Sequence, residues 1–224
     1  MDVTGQYQIA YSEDKPDGSG RKLRETDFDS VRIAVYYLNV SLPQDREDYL
    51  KLTIIPSAKN WFGSILKVQR RTSNIVVNTD TCINAEVPEE HKTEGIPDAD
   101  VLIYVTVGGE YAATGGACLI DTNHYFAPLV GNTMLNSDVW TIASNETILH
   151  LIMNQFAMIL GTSSALHDFY YNRDTETFWG ASNIIQEGFE PARGKTVNRI
   201  ILPTVVEKAR SQFACDSMVG VEVE

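Results

Sequence analysis

The stretch from Glu146 to about Leu160 constrains the fold more than any other part of the sequence. The residues that make it apolar on nearly every side of a helix are Ile148, Leu149, Leu151, Ile152, Met153, Phe156, Ile159 and Leu160. Asn145 stands where an N-cap is expected, and Glu146 follows in the first turn, where the helix dipole stabilises a carboxylate. A helix with so little polar surface is buried in the middle of a domain.

The composition is that of an ordinary globular protein and limits the possible partners. With 224 residues, of which 43% are hydrophobic and 21% charged, the chain can bury one good core, or one domain and part of a second. The formal charge of −12 argues against nucleic acid or an anionic lipid surface as a partner. No apolar run reaches about 18–20 residues, so no membrane span is predicted. The start MDVTGQYQ lacks the charged and apolar regions of a signal peptide.

Local patterns divide the chain into an arm and a mixed set of strands and helices. Residues 1–30 offer almost nothing apolar to bury and are either a disordered leader or an arm that becomes ordered on a partner. The predicted strands are 31–40, 67–77, 100–107, 117–120 and 129–135. The third of these is nearly all apolar and is therefore expected in the interior of a sheet. Pro56 predicts a kink or early break in a helix over 44–66, and Pro203 begins a last helix over 203–214.

The spacing before Gly161 matches a metal-binding helix, but the residues do not. Counted back from this glycine, the pattern H-E-x-x-H-x-x-G has Asn154 and Met158 at its histidines and Gln155 at its glutamate. Zinc needs two imidazoles one helical turn apart, and the carboxylate deprotonates the metal-bound water. One hypothesis recruits His150 with Asn154 to bind a metal. The other leaves His150 as a buried or half-buried histidine and uses Met158 as apolar filling of the vacated space.

Six segments in a fixed order resemble the leishmanolysin family of surface metallopeptidases. They are VRIAVYYLNV (31–40), IIPSAKNWFGSILKV (54–68), CINAEVPEEHKTEGIPDADVLIYVTV (82–107), GGACLIDTNHYFAPLVGNTMLN (115–136), TILHLIMNQFAMILGTSSALHDFY (147–170) and ILPTVVEKARSQFACDSMVGVEVE (201–224). The resemblance implies an α+β fold of zincin or metzincin type, with a twisted mixed sheet packed on a long helix and a degenerate active-site helix. It also implies a flexible N-terminal arm (1–30), a zincin-like subdomain (31–166) and the start of a second, loop-rich subdomain (167–224).

The same resemblance assigns the cysteines and argues against a catalytic site. Cys82 and Cys118 correspond to a family disulfide beside the cleft, with Cα atoms expected about 4.4–6.8 Å apart. The family partner of Cys215 lies further downstream, so Cys215 is expected to be unpaired. The family's third zinc histidine also follows the segment that resembles 201–224, and the sequence stops at Glu224. We therefore predict no catalytic residue, no metal and no cofactor.

Two sequons and the other histidines complete the candidate residues. Asn39 and Asn145 each begin an Asn-x-Ser/Thr sequence, which is either a glycosylation acceptor or a chance match. His91 and His124 fall in predicted loops and are expected to be solvated. His167 either lines the former cleft or has a structural role.

Patterns for other enzyme chemistry are not found. The sequence has no G-x-S-x-G, no G-x-G-x-x-G and no phosphate-binding loop. The pairs Gly108-Gly109 and Gly115-Gly116 are interpreted as turn residues.

Three functions fit these expectations. The favoured one is a catalytically inactive leishmanolysin-like pseudopeptidase that acts as a binding module or as a structural subunit of a larger assembly. It would have one or more protein partners, with possible peptide binding in the former cleft. The alternative is a leishmanolysin-family zinc metalloendopeptidase with a non-standard site, acting in proteolysis or cell adhesion. A third is a regulator that pairs with an active paralogue and competes for its substrates. The family resemblance suggests a secreted or cell-surface location, although no signal peptide is visible.

Overall fold

Two compact units make up the chain, Met1–Ser163 and Ser164–Glu224. The structure, a computed structural model, describes residues 10–11 (backbone only), 28–122, 127–172, 175, 177–191 and 193–223. The helices are α1 (Gln44–Tyr49), α2 (Ile55–Ile65), α3 (Glu89–Thr93), α4 (Val139–Ile142), α5 (Asn145–Ala157) and α6 (Pro203–Phe213), with π-helical turns at Leu50–Ile54 and Met158–Thr162 and 3-10 turns at Ser164–Phe169 and Ala181–Asn183. The strands are β1 (Ala10–Tyr11), β2 (Phe28–Ser30), β3 (Ile33–Leu38), β4 (Lys67–Gln69), β5 (Thr81–Cys82), β6 (Ala85–Glu86), β7 (Val101–Val107), β8 (Ala113–Asp121), β9 (Ala127–Leu135), β10 (Tyr171–Asn172), β11 (Thr177–Phe178), β12 (Ile185–Glu190), β13 (Lys195–Ile200) and β14 (Val221–Val223).

The first unit is built on a five-stranded mixed sheet in the order β1-β8-β9-β7-β3. β3, β7 and β9 run parallel, β8 is antiparallel to β9, and β1 pairs parallel to β8. β7 lies inside the sheet and is buried from its first residue to its sixth, as its apolar sequence predicts. The predicted α+β class with a mixed sheet is confirmed.

One face of this sheet, which we call the helix face, is covered by α2 and α5. Its buried cluster consists of Val31, Ile33, Leu50, Ile54, Ile55, Ala58, Phe62, Val101, Ile103, Val105, Leu135, Trp140, Ile148, Ile152, Phe156 and Ile159. Ile148, Ile152 and Phe156 recur at four-residue intervals and therefore lie on one side of α5. Phe156 meets Phe62 of α2 with ring centroids 6.1 Å apart, which joins the two helices.

The opposite face is covered by a segment with little regular structure, which we call the cap (residues 73–99). The cap carries the β5–β6 hairpin and α3, and it contributes to the second buried cluster through Ile75, Val77, Cys82, Ala85, Val87 and Ala99. Cys82 is bonded to Cys118 of β8, with their Cα atoms 5.3 Å apart. The predicted disulfide is confirmed.

The predicted strand 67–77 is wrong beyond Gln69. β4 ends there because Arg71 turns inward. Its backbone N–H donates to Asp100 Oδ1 at 2.9 Å, and its guanidinium forms a buried ion pair with Asp121. Ile75 retains a single bridge, to Ile96.

The break expected at Pro56 does not occur. α1 continues through the π-helical turn Leu50–Ile54 directly into α2, and Pro56 occupies the first turn of α2. Proline has no N–H to donate, and the wider turn before it accommodates this loss without ending the helix.

The second unit contains a three-stranded antiparallel sheet, β12-β13-β14, and the helix α6. α6 begins with Pro203 in its first turn and ends at Ala214, which is left-handed with φ 48°. The last predicted helix is therefore confirmed. The domain boundary predicted after Leu166 stays a prediction.

The predicted arm, residues 1–30, lies mainly outside the described residues. Its two described pieces are β1, which pairs with β8, and β2, which pairs with β4. A helical run over Asn145–Phe169 is long and apolar enough to cross a membrane by length and composition alone. The core helix of a globular domain has the same composition, and the buried residues of α5 include Ile148, Ile152 and Phe156.

Candidate functional site

The helix α5 begins one residue earlier than predicted. Ser144 is its N-cap, with an extended φ/ψ of −68° and 157°, and its Oγ accepts a hydrogen bond from the N–H of Thr147 at 3.2 Å. Asn145, the predicted cap, is the first helical residue instead, and its Oδ1 accepts from Arg46 Nη1 at 3.3 Å. Serine and asparagine are comparable caps, so the hydrogen bond to Thr147 decides the start.

The three motif positions differ in exposure. Asn154 is exposed, Met158 is half-buried, and Gln155 is 5% exposed. Asn154 of α5 and Met158, the first residue of the following π-helical turn, lie about one turn apart on the same side, whereas Gln155 points into the sheet. The side chains that stand where two metal ligands are expected therefore reach the surface, and the side chain in the position of the base does not.

Gln155 lies directly against the backbone of β8. A Cβ atom at Gly115 would stand 2.8 Å from Gln155 Oε1 and 2.9 Å from the carbonyl of Asn132, so only glycine fits. Glycine has only a hydrogen in that direction, which leaves room for Oε1. Oε1 is inaccessible to solvent and has no hydrogen-bond partner among the described residues. A group placed this way cannot take a proton from a water molecule.

A second glycine continues this close approach. A Cβ atom at Gly131 of β9 would stand 2.4 Å from Ile159 Cγ2. The glycines of β8 and β9 therefore let successive turns of the α5 region touch the sheet backbone. The prediction that Gly115-Gly116 forms a turn is wrong: both residues lie within β8. Gly108 and Gly109 do follow the end of β7, with positive φ values of 150° and 84°.

Gly161 ends the regular helix. Its φ is 141°, which a residue with a side chain rarely adopts, and no neighbouring atom would obstruct a Cβ there. Backbone conformation, rather than packing, therefore requires glycine at this position.

The residues present do not fit a zinc ion. Zinc in proteins takes His, Cys or carboxylate ligands, and the motif positions offer an amide, an amide and a thioether. The residues that the structure describes include no group of three or more His, Cys, Asp or Glu side chains that could hold a metal. His150 is exposed rather than buried, because it lies on the side of α5 opposite the core.

The expectation for His91 is also wrong. It lies in α3, is 2% exposed, and its Nδ1 is 2.8 Å from Tyr104 Oη. Burial lowers the pKa of His91, against a smaller opposite effect of Glu90. Helix α3 is too short for its pattern to predict this packing. His124 lies outside the described residues.

Both interpretations of His167, as a residue that lines the former cleft and as a structural residue, stay predictions. It lies in a 3-10 turn, is half-buried, and contacts Tyr170 edge-on with ring centroids 5.3 Å apart. Burial lowers its pKa.

Cys215 is not in a disulfide, and its Sγ lies 3.5 Å from Ser217 Oγ. Asn39 is exposed just after β3, with a φ of 52°.

The outer edge of β8 passes beside the candidate site. β9 pairs with β8 along one edge from Ala113 to Asp121. On the other edge, β1 pairs only with Leu119 and Ile120. Within the described residues no strand covers β8 from 113 to 118, the stretch that includes the glycine above Gln155.

Sequence reasoning missed a polar network that joins β3 to β7. Arg32 donates to the Asp100 carboxylate through Nε at 3.1 Å and Nη2 at 2.8 Å. Burial raises the pKa of Asp100, but hydrogen bonds from Arg32 and from the backbone N–H groups of Arg71 and Arg32 outweigh it and hold the pKa below its usual value. No pattern marked these residues, because their partners are distant in sequence.

Comparison with known proteins identifies the family. The family model described as Leishmanolysin, of the M8 peptidases, matches residues 38–224. The chain is 29% identical to a leishmanolysin homolog of Crithidia fasciculata over 80% of its own length and 26% of that protein. It is 28% identical to leishmanolysin of Leishmania major over 82% of its length and 29% of that protein. It is 20% identical to a leishmanolysin-like peptidase of Caenorhabditis elegans over 88% of its length and 42% of that protein.

The chain thus spans about a quarter to two fifths of the length of these relatives. The family match nevertheless covers far more than half of the chain itself. The protein belongs to the leishmanolysin family.

Proposed function

We propose that this chain is a catalytically inactive, leishmanolysin-like binding protein with a metzincin-type fold and a degenerate active-site helix. The observation that carries the proposal is the state of Gln155. It stands at the position of the general base, but it is an amide. Its Oε1 is inaccessible to solvent and lies close to Gly115. Losing a positioned base typically costs about 10²–10⁴-fold in rate.

The metal chemistry is lost for a separate reason. A catalytic zinc polarises the substrate carbonyl and supplies hydroxide at neutral pH. Asn154 and Met158 cannot hold it, since an amide and a thioether are poor zinc ligands. The fold does not depend on the ion, because the buried side of α5 packs through Ile148, Ile152 and Phe156.

The retained capacity in this proposal is binding of an extended segment of a protein partner. The edge of β8 that no strand of the described residues covers would supply backbone donors and acceptors for an added strand. In this proposal Asn154, which is exposed, and Met158, which is half-buried, would contact the side chains of the added strand. The protein would act as a binding module or as a subunit of a larger assembly, without nucleic acid. The disulfide supports a secreted or cell-surface location, because such bonds persist in oxidising compartments.

The inactivity is tested by zinc content and peptidase activity of the intact chain. We expect far less than one zinc per chain by elemental analysis and no chelator-sensitive cleavage of casein. One zinc per chain together with such cleavage would sink the proposal and favour a zinc metalloendopeptidase with a non-standard site.

The sealed position is tested by Gln155→Glu. Burial should raise the pKa of the new carboxyl. Because the pKa of this carboxyl is raised in the folded state, the variant keeps its stability below about pH 4.3, where the carboxyl is protonated in both states. Its unfolding free energy then falls as the pH rises, by about 1–3 kcal/mol at neutral pH. The measurement is the unfolding free energy of the variant minus that of the wild type, at several pH values. A pH-independent difference near zero would show that the side chain reaches solvent.

Peptide binding is tested with a displayed peptide library and fluorescence titration of the selected peptides. Asn154→Lys places a long charged side chain next to Gln155, the residue that lies against Gly115 of β8, and should weaken binding. Asn145→Lys makes the same change at the exposed start of the same helix and should leave binding intact. Equal effects of the two variants, or no selected peptide, would contradict binding at this edge.

A further inference from the structure

The far edge of the sheet ends in β3, which has one side without a partner strand among the described residues. β3 forms the end opposite β1 and β8, and β7 is its only partner strand among the residues that the structure describes. Its sequence is IAVYYL. The six residues pair with β7 in continuous parallel register, without a bulge.

The hydrogen-bonding directions along β3 follow from its first contact with β7. The N–H of Val101 donates to the carbonyl of Arg32 at 3.2 Å, and Val101 is in register with Ile33. In a parallel ladder, residues alternate between bonding to this neighbour and facing away from it. The N–H and C=O groups of Ile33, Val35 and Tyr37 therefore face away from β7.

The open stretch has two defined ends. Before it, the N–H of Val31 is already used, donating to the carbonyl of Leu66 at 3.0 Å. After it, Asn39 leaves the strand with a φ of 52°. The outward groups of Ile33 and Tyr37 lie between these ends, and Val35 is the midpoint.

The sequence and register of β3 lack three features that usually prevent strand addition. Edge strands are commonly protected by charged side chains, proline or a bulge. None of the six residues of β3 is charged or a proline, and the register is regular. A charged group near β3 is the ammonium of Lys51, which belongs to the helical region after the strand rather than to the strand itself. Its Nζ lies over the face of the Tyr37 ring, 5.1 Å from the ring centre, and so contacts a side chain rather than the strand backbone.

We propose that β3 pairs antiparallel with β3 of a second copy of the chain, about a two-fold axis through Val35. Val35 then lies opposite Val35 of the other copy, and Ile33 lies opposite Tyr37. Each of these residues offers one N–H and one C=O, so every outward group finds a partner. The two sheets join into one continuous sheet, with the helix faces of both copies on the same side.

A second copy fits this edge better than an unrelated strand because the edge is symmetric. The same two ends bound it at equal distance from Val35, so two identical strands use it completely. The chain carries a formal charge of −12, yet the paired strands bring no like charges opposite each other. Pairs of aromatic and β-branched residues, as of Tyr37 with Ile33, stabilise antiparallel strands. The same patch serves both copies, as a two-fold interface requires.

This pairing is independent of the proposed function. It uses the end of the sheet opposite β8, so it leaves the candidate peptide-binding edge open in both copies. Failure of either proposal would leave the other standing.

The test is sedimentation velocity of the intact, oxidised chain from about 1 µM to about 100 µM, a range that detects micromolar dissociation constants. We expect a reversible monomer–dimer equilibrium. Residue-resolved amide exchange should then show protection of Ile33, Val35 and Tyr37 that increases with concentration. Ala34 and Tyr36 serve as internal controls, because their amides bond to β7 and should be protected at every concentration. A monomer throughout the range, or a dimer with fast exchange at the outward amides, would overturn the proposal.

Val35→Pro removes one outward N–H per copy and leaves the ladder to β7 intact. It should weaken dimerisation by roughly tenfold or more, since two hydrogen bonds are lost across the axis. Val35→Thr keeps the N–H and the branched shape and should still dimerise. A Val35→Pro protein that folds and dimerises like the wild type would contradict the register. If this variant fails to fold, the exchange pattern of the wild type decides alone.

Discussion

The two faces of the five-stranded sheet are closed by different physical means. On the helix face, long regular helices bury apolar side chains and approach the backbone through Gly115 and Gly131. On the opposite face, the cap has one short helix and one hairpin whose strands are two residues long. It is held by the Cys82–Cys118 disulfide and by the contact of His91 with Tyr104. Regular helices can cover a sheet through packing alone, whereas an irregular segment needs specific cross-links because it buries fewer apolar groups per residue.

The largest expected effect tests packing on the helix face. Phe156→Ala removes a fully buried ring and should cost about 3–5 kcal/mol of unfolding free energy, with or without reductant. Phe213→Ala, at a ring that is 65% exposed, should change stability by less than about 0.5 kcal/mol. Urea unfolding measures both. A cost below about 1 kcal/mol for Phe156→Ala would show that α5 does not hold the helix face.

The next effect belongs to the cap. Replacing Cys82 and Cys118 together by alanine should cost about 3–4 kcal/mol in the chain-entropy picture. The sequence separation of 36 residues sets this magnitude. Adding reductant to the wild type should produce the same loss, whereas the cost of Phe156→Ala relative to the wild type should be the same in both redox states. Cys215→Ala is the matched control and should be neutral. If the double variant is as stable as the oxidised wild type, the cap is held by packing alone.

A smaller effect tests the glycine contacts of the helix face. Gly115→Ala forces a Cβ to within 2.8 Å of Gln155 Oε1 and should cost about 1–3 kcal/mol through displacement of α5. At the neighbouring Gly116, an added Cβ would lie 3.5 Å from Ile83 Cδ1, an ordinary contact distance, so Gly116→Ala should be tolerated. Thermal unfolding of the two variants is the comparison. If both variants lose the same stability, the cause is the added side chain in β8 itself rather than the short distance between β8 and α5.

The smallest effect is a pH dependence of the cap. His91 has a lowered pKa in the fold, so the unfolded chain binds the proton more readily, and stability falls as the pH drops below about 6.5. His91→Gln should remove this part of the slope, whereas His150→Gln, at an exposed position, should not. The groups facing His91 are Tyr104, Tyr36 and Glu90. Identical slopes for His91→Gln and wild type between pH 7.5 and 5 would contradict a buried neutral imidazole.

Sequence reasoning succeeded where the pattern was long. α5 is evident because apolar residues recur over several turns, and β7 because its apolar run is uninterrupted. The start of α5 was off by one residue, since Ser144 and Asn145 are both good caps and only the bond to Thr147 separates them. The disulfide was predicted from the family resemblance, as the spacing of three cysteines does not determine a pairing.

The features that define the candidate site could not be predicted from local patterns. The contact of Gln155 with Gly115 depends on the distance between α5 and β8, which many distant residues set together. The burial of His91 likewise depends on how the cap folds over β7. The helix α3 has only five residues, too few for a periodic signal. Local patterns thus predicted the elements better than the contacts between them.

The covalent ring closed by Cys82 and Cys118 contains the connection between β7 and β8. Tyr111 in that connection is 66% exposed, which makes it a suitable site for chymotrypsin. A chain cut after Tyr111 is in two pieces along its backbone, yet the sulfur bridge still joins them. The nicked protein therefore migrates as one band on a denaturing gel until a reductant is added, and as two bands afterwards.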